Sequence, residues 1–337
     1  MLPEPEPQTI PDDNPDSAWF SADWQNLPWS PWVPFSADRD EFFLIPKEPG
    51  LYRIRPAGGR VLLYIGETGK MLHRKLAEFR QTLRRRDLMP WNDPYAEAPA
   101  LWAWRDAEPA GSSLPWDEEG NPGPKSAGSP PGPGEVESRQ EFCGYECSAA
   151  PLDASPGGRR GMECFLLYRY RQEYGESPLC NFGRFPPRYR RSTNRRENLR
   201  GGKLADGQRD NPAGFPSLPP LKPSGNPGDA DWMGLEWTTA GNLTPENLIN
   251  AAPGAGLFLL ADTGTGEILF IGRSADCAHR LLELSRKEFG GHELQFSYQI
   301  LGEKVLPHNL MELEYDLIGN FFEQYRKAPE FQFRRSH

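Results

Sequence analysis

The chain has 337 residues, 37% of them hydrophobic, with 34 glycines and 36 prolines, so it is long enough for two cores while a good share of it reads as loop or tail. The formal charge of −9 argues against an evenly spread polyanion-binding surface, yet the sign is segmental: from Ser155 to Leu204, 12 Arg and Lys stand against 4 Asp and Glu. No apolar run is long enough for a membrane span, and five cysteines without regular spacing fit a reducing, cytoplasmic setting better than a disulfide framework.

The opening text, MLPEPEPQTIPDDNPDSAW, is acidic and proline-rich, unlike a signal peptide. Residues 1–40 read as an arm, and Trp19, Phe20, Trp24, Trp29, Trp32 and Phe35 predict that it lies across a folded surface or docks a protein partner. A first domain spans 41–204. Its GLYRIRP and VLLYIG predict two strands around the Gly58-Gly59 turn, and KMLHRKLAEFRQTLRRR predicts a helix with Leu72, Leu76, Phe79 and Leu83 on one face. ALWAWRD reads as a third strand. The acidic Gly/Pro/Ser-rich stretch at about 107–138 reads as a flexible insertion, which could cover a basic site as a mimic of nucleic acid. Cys143 and Cys147 have no matching Cys/His pair, which argues against zinc. RRGMECFLLYRYRQEYG predicts a second helix with Met162, Phe165, Leu166 and Tyr170 on one side. A basic tail (184–203) and a Pro/Gly-rich linker (205–234) follow. A second domain, 235–337, repeats the order strand, turn, strand, helix, strand (ELQFSYQIL) and a helix over about 309–327.

The repeat is also metrical. Eleven residues separate Tyr52 from Tyr64 and Phe258 from Phe270, and seven separate Gly66 from Arg74 and Gly272 from Arg280. Glu163 precedes Asn181 by 18 positions, and Glu314 precedes Gln332 by the same interval. Such agreement points to an internal duplication.

Gly50-Leu51-Tyr52, Tyr64-Ile65-Gly66, Arg74, Glu163 and Asn181, in that order, resemble the signature of the GIY-YIG nucleases; the likeness covers about 49–184 and, more weakly, 254–333. It implies an α/β (α+β) fold of two GIY-YIG-like domains, each a small three-stranded, mostly antiparallel sheet flanked by helices. It also implies an endonuclease that hydrolyses DNA phosphodiester bonds with one Mg²⁺ or Mn²⁺, with Tyr52 as general base, Tyr64 as its positioning partner and Asn181 as a buttress. Elementary chemistry agrees. A single carboxylate such as Glu163 suffices to hold a Mg²⁺ that keeps most of its waters, and Arg74 has the donor fork that suits phosphate. Glu78 stands where many family members carry histidine or tyrosine; a carboxylate there could add a metal ligand or face solvent, the favoured reading, and His73 points to another side of the helix. Restriction or phage defence is the favoured setting. The alternatives are a non-catalytic nucleic-acid-binding or assembly protein built on the same scaffold, and an RNA-directed nuclease.

In the second copy Phe258, Phe270 and Gln332 replace the two tyrosines and the asparagine, while Arg280 and Glu314 remain. Phenylalanine cannot take a proton from water, so this copy reads as degenerate, although Arg280 and Glu314 could still hold metal and phosphate without cleavage. Substrate binding is expected from Arg84, Arg85 and Arg86 and from Arg184, Arg188, Arg190, Arg191, Arg195, Arg196 and Arg200, interleaved with Phe185 and Tyr189 for base stacking.

Overall fold

A computed structural model describes residues 18–36, 41–83, 87–93, 95–107, 144–249, 251–302 and 304–334. Its first sheet comprises Val33–Pro34 (β1), Gly50–Pro56 (β2), Tyr64–Thr68 (β3) and, beyond the helices Leu72–Leu83 (α1) and Ala98–Ala107 (α2), Tyr145–Pro151 (β4); the helix Pro156–Tyr174 (α3) then crosses it. The strand order is β1-β4-β2-β3, antiparallel throughout. After a short hairpin, Tyr189–Arg190 (β5) with Gly202–Lys203 (β6), the plan recurs. Gly241–Asn242 (β7), Gly256–Asp262 (β8), Ile268–Ser274 (β9), the helix Cys277–Leu284 (α4), Leu294–Ile300 (β10) and the helix Pro307–Tyr325 (α5) build a sheet of order β7-β10-β8-β9. The molecule is therefore α+β. Among the described residues, no helix is long and apolar enough to cross a membrane.

The registers match as well as the orders. Tyr52 lies opposite Gly66 and Ala149, and Phe258 lies opposite Gly272 and Tyr298. Each sheet has four strands where three were expected: the aromatic arm supplies β1 in the first, and Gly241–Asn242 supplies β7 in the second. Ala22-Asp23-Trp24, Leu27 and Trp29 recur as Ala230-Asp231-Trp232, Leu235 and Trp237. In both, a 3-10 turn places a residue in the left-handed region (Gln25, φ 55; Met233, φ 59), and the second indole donates to the first tryptophan's carbonyl, at 3.0 Å and 3.1 Å. Trp24, Leu27 and Trp29 thus pack on the first sheet beside Leu51 and Ile65, and Trp232, Leu235 and Trp237 pack in the same way on the second beside Leu257 and Leu259. Buried Arg53 fills the space between the rings of Trp29 and Trp32, 4.2 and 4.7 Å from their centroids.

Helix α1 buries Leu72, Leu76, Phe79 and Leu83, as its spacing predicts. ALWAWRD is helical, not a strand: alanines and Pro99 in the first turn favour a helix, and α2 covers the core with Ala98, Leu101 and Trp102. Helix α3 starts at Ser155, whose hydroxyl accepts from Gly158 N–H at 3.1 Å, and ends at left-handed Gly175. It is apolar on more than one side because it lies between the first sheet and α5. Gly161 and Gly319 let the two helices close: a Cβ on Gly161 would stand 2.6 Å from Phe322, and one on Gly319 would collide with Tyr168.

The segment 205–234 is not a free linker. Arg171, fully buried, donates to Asp316 at 2.8 and 3.0 Å and to the carbonyls of Leu218 and Pro219, while the N–H groups of Leu218 and Leu221 donate to Glu312 and Asp316. Proline-rich chain has few donors of its own, so it packs here only because side chains of α3 and α5 satisfy its backbone.

Candidate active site

Tyr52 and Tyr64 come from β2 and β3 as diagonal neighbours, Tyr52 directly opposite Gly66 and Tyr64 opposite Ile54, and their rings stack with centroids 5.8 Å apart. Gly66 is the third member for a steric reason: a Cβ there would lie 2.6 Å from the Tyr64 ring and 2.9 Å from that of Tyr52. Asn181 locks β3, which carries Tyr64 and Gly66, accepting from Ile65 N–H at 3.0 Å and donating to Ile65 C=O at 2.8 Å. Gln332 makes the same pair of bonds to Ile271, both at 2.9 Å. The buttress is thus present in both copies, which makes it a structural brace independent of the tyrosines.

Glu163, on α3, lies close to this pair. Among the described residues it has no hydrogen bond or ion pair. Burial first, and then the carboxylates of Glu67 and Glu97, push its pKa up to about 8, against the pull of Arg160 and Lys75. Burial also raises the phenols of Tyr52 and Tyr64 well above their ordinary value, and Glu97 adds to both. Tyr315 of α5 reaches the same region from the second domain.

Arg74 does not join them. Two residues from Leu72 and two from Leu76, it lies about 200° round the helix from the core stripe, with its side chain 66% exposed and its Nε 2.9 Å from Glu78. Arg74 makes an outward ion pair with Glu78, whose side chain is 37% exposed, in keeping with its solvent-facing reading, and which also accepts from the Tyr95 hydroxyl. The neighbouring Lys75, 14% exposed, points inward instead; its Nζ is 3.2 Å from Glu97 Oε1 and 3.8 Å from the centre of the Tyr95 ring. Glu97 Oε1 also accepts from the Tyr52 hydroxyl at 3.0 Å. Lys75, Tyr95 and Glu97 carried no motif. Only the phase of α1 could have pointed to Lys75.

The second site is closed. Phe258 and Phe270 reproduce the stacked rings at 6.0 Å. Arg273, at the position of Glu67, pairs with Glu314 and occupies the carboxylate; Arg280 is half-exposed and paired with Glu283 at 2.8 Å. Leu281, fully buried, replaces Lys75.

The basic segment is mostly packed. Arg184 is buried and donates to Ser177 C=O at 3.2 Å, and Phe185 and Tyr189 lie in the first core, so neither ring offers a stacking surface. Arg188 braces the chain at 204–210 through Leu204, Ala205, Gln208 and Asp210. Arg191 bonds Ala96 C=O and stands near Glu97 and Tyr64. Arg190, Arg195 and Arg196 are exposed. Arg195 and Arg200 line a cleft of about 360 Å³ with Glu78, Trp91, Asp93 and Tyr95, beside the Lys75 end of the site. Arg84, Arg85 and Arg86, the acidic insertion beyond residue 107 and Cys143 lie outside the described residues. No protein-family model, curated protein or solved structure matches the chain.

Proposed function

We propose that the chain is a divalent-cation-dependent nuclease of the GIY-YIG type, hydrolysing DNA phosphodiester bonds at the first site and using the second copy as scaffold. One observation carries this reading: of two equivalent sites, only the first combines stacked phenols with a carboxylate that has no partner of its own. Glu163 is the carboxylate chemically suited to a cation, since Glu67 is engaged by Arg159 and Arg160 and Glu97 by Lys75; among the described residues no group of three or more His, Cys, Asp or Glu is placed to hold a metal ion. Glu163 would hold Mg²⁺ or Mn²⁺, with Glu67 nearest in charge. When bound, the ion supplies neutralisation of the phosphate charge.

The protein's own groups then divide the work. Tyr52 is a neutral phenol at neutral pH, since burial and Glu97 both oppose its ionisation. It can accept a proton from the attacking water only while passing its own to Glu97 Oε1, 3.0 Å away, so the pair acts as a relay. Tyr64 stacks on Tyr52 and fixes its ring.

The test is cleavage of plasmid, linear duplex, single-stranded DNA and RNA with Mg²⁺ or Mn²⁺. Glu163→Gln is expected to lose at least about 10²-fold in kcat, and Glu314→Gln to stay near wild type. Intact DNA binding without cutting by the wild type would favour the binding-protein alternative, and cutting of RNA alone the RNA-directed one.

A further inference from the structure

We propose that Lys75, held by Glu97, is the cation that meets the scissile phosphate, and that Arg74 stands outside the site. The inference rests on the nuclease reading. Lys75 lies against Glu97 and the faces of Tyr95 and Tyr52, 3.8 and 5.9 Å from their ring centres. An ammonium has three donors, and one directed at Glu97 leaves two for phosphate oxygens. Glu97 shares one oxygen between Lys75 and Tyr52, so the cation and the phenol are held by the same carboxylate.

The duplication supplies an internal control. The copy without tyrosines has Leu281 for Lys75, and between α4 and β10 it has no helix to match α2 and the Tyr95–Glu97 segment before it. Lys75, Tyr95 and Glu97 are therefore absent together with the two phenols. The helix arginine behaves otherwise. Arg280 persists in the second copy, half-exposed and paired with a glutamate on its own helix, as the more exposed Arg74 is. Glu314 also persists but is taken up by Arg273, so for the helix arginine it is the outward placement in both copies, not its survival, that sets it apart.

The experiment compares Lys75→Met, Lys75→Arg and Arg74→Met in the full chain, by Mg²⁺-dependent cleavage and by anisotropy of a short DNA duplex in EDTA over a range of salt. Lys75→Met should lower kcat by at least about 10²-fold and reduce the salt slope of binding by about 1, with partial rescue in Lys75→Arg. Arg74→Met should leave kcat close to wild type. Should Lys75→Met fail to fold, Lys75→Gln, which keeps a donor for Glu97, takes its place. Loss of kcat in Arg74→Met with an active Lys75 variant overturns this inference alone. A wild type that neither binds nor cuts overturns the nuclease reading and this inference with it.

Discussion

Glu163 is the side chain on which the first site's charge balance turns. Its folded-state pKa, raised to about 8 from an ordinary 4.5, means that the folded protein binds this proton more tightly than the unfolded chain does. Its contribution to stability is therefore fully present below about pH 4.5 and is lost as pH rises through about 8. In EDTA, the urea-unfolding free energy of the wild type should fall between pH 5 and pH 8.5 more than that of Glu163→Gln, in which the titration is absent. The tyrosines, the glutamate and the asparagine were legible as intervals because each is fixed by local geometry: a cross-strand pair over a glycine, and a side chain that reaches a fixed backbone amide. Arg74 does not join the other motif residues because a motif records an order along the chain, whereas the facing of a side chain depends on helix phase.

At the level of elements, α1, α3, α5 and the hairpin strands follow from periodicity and turn chemistry. ALWAWRD did not, since a short apolar run fits a strand and a buried helix equally well. The recurrence of Ala-Asp-Trp, Leu and Trp was readable in the text, but the first instance sits in proline-rich surroundings that suggest a tail. The helix pair offers a direct test. Gly319 faces Tyr168 across the α3 and α5 contact, and a methyl group there has no space. Gly319→Ala should destabilise the protein by roughly 1–3 kcal/mol, read from the urea midpoint, despite alanine's better helix propensity.

Across the whole molecule, α3 and α5 pack about a pseudo-twofold axis. The tenth position of each helix meets the sixteenth of the other: Phe165 packs on Phe322 with ring centres 6.1 Å apart, and Asp316 pairs with Arg171. One crossing is aromatic and the other ionic, so the equivalent helices are no longer interchangeable. Arg171→Met would leave Asp316 and Glu312 buried without their cation, at a cost of roughly 3–5 kcal/mol. Because Arg171 also binds the carbonyls of Leu218 and Pro219, calorimetry should show one cooperative transition in the wild type and two separated ones in the variant.

Repetition, spacing and the exchange of tyrosine for phenylalanine are properties of residue order, and they alone disclosed the duplication and the asymmetry between its copies. Which cation faces the phenols, what occupies the second glutamate, and where the basic and proline-rich segments lie depended on contacts between residues far apart in the chain. Lys75 and Glu97 are 22 positions apart, and Arg171 and Asp316 are 145. Such pairs form only after helices and sheets have packed, since burial makes an unpaired charge costly and so selects the partner that folding brings within reach.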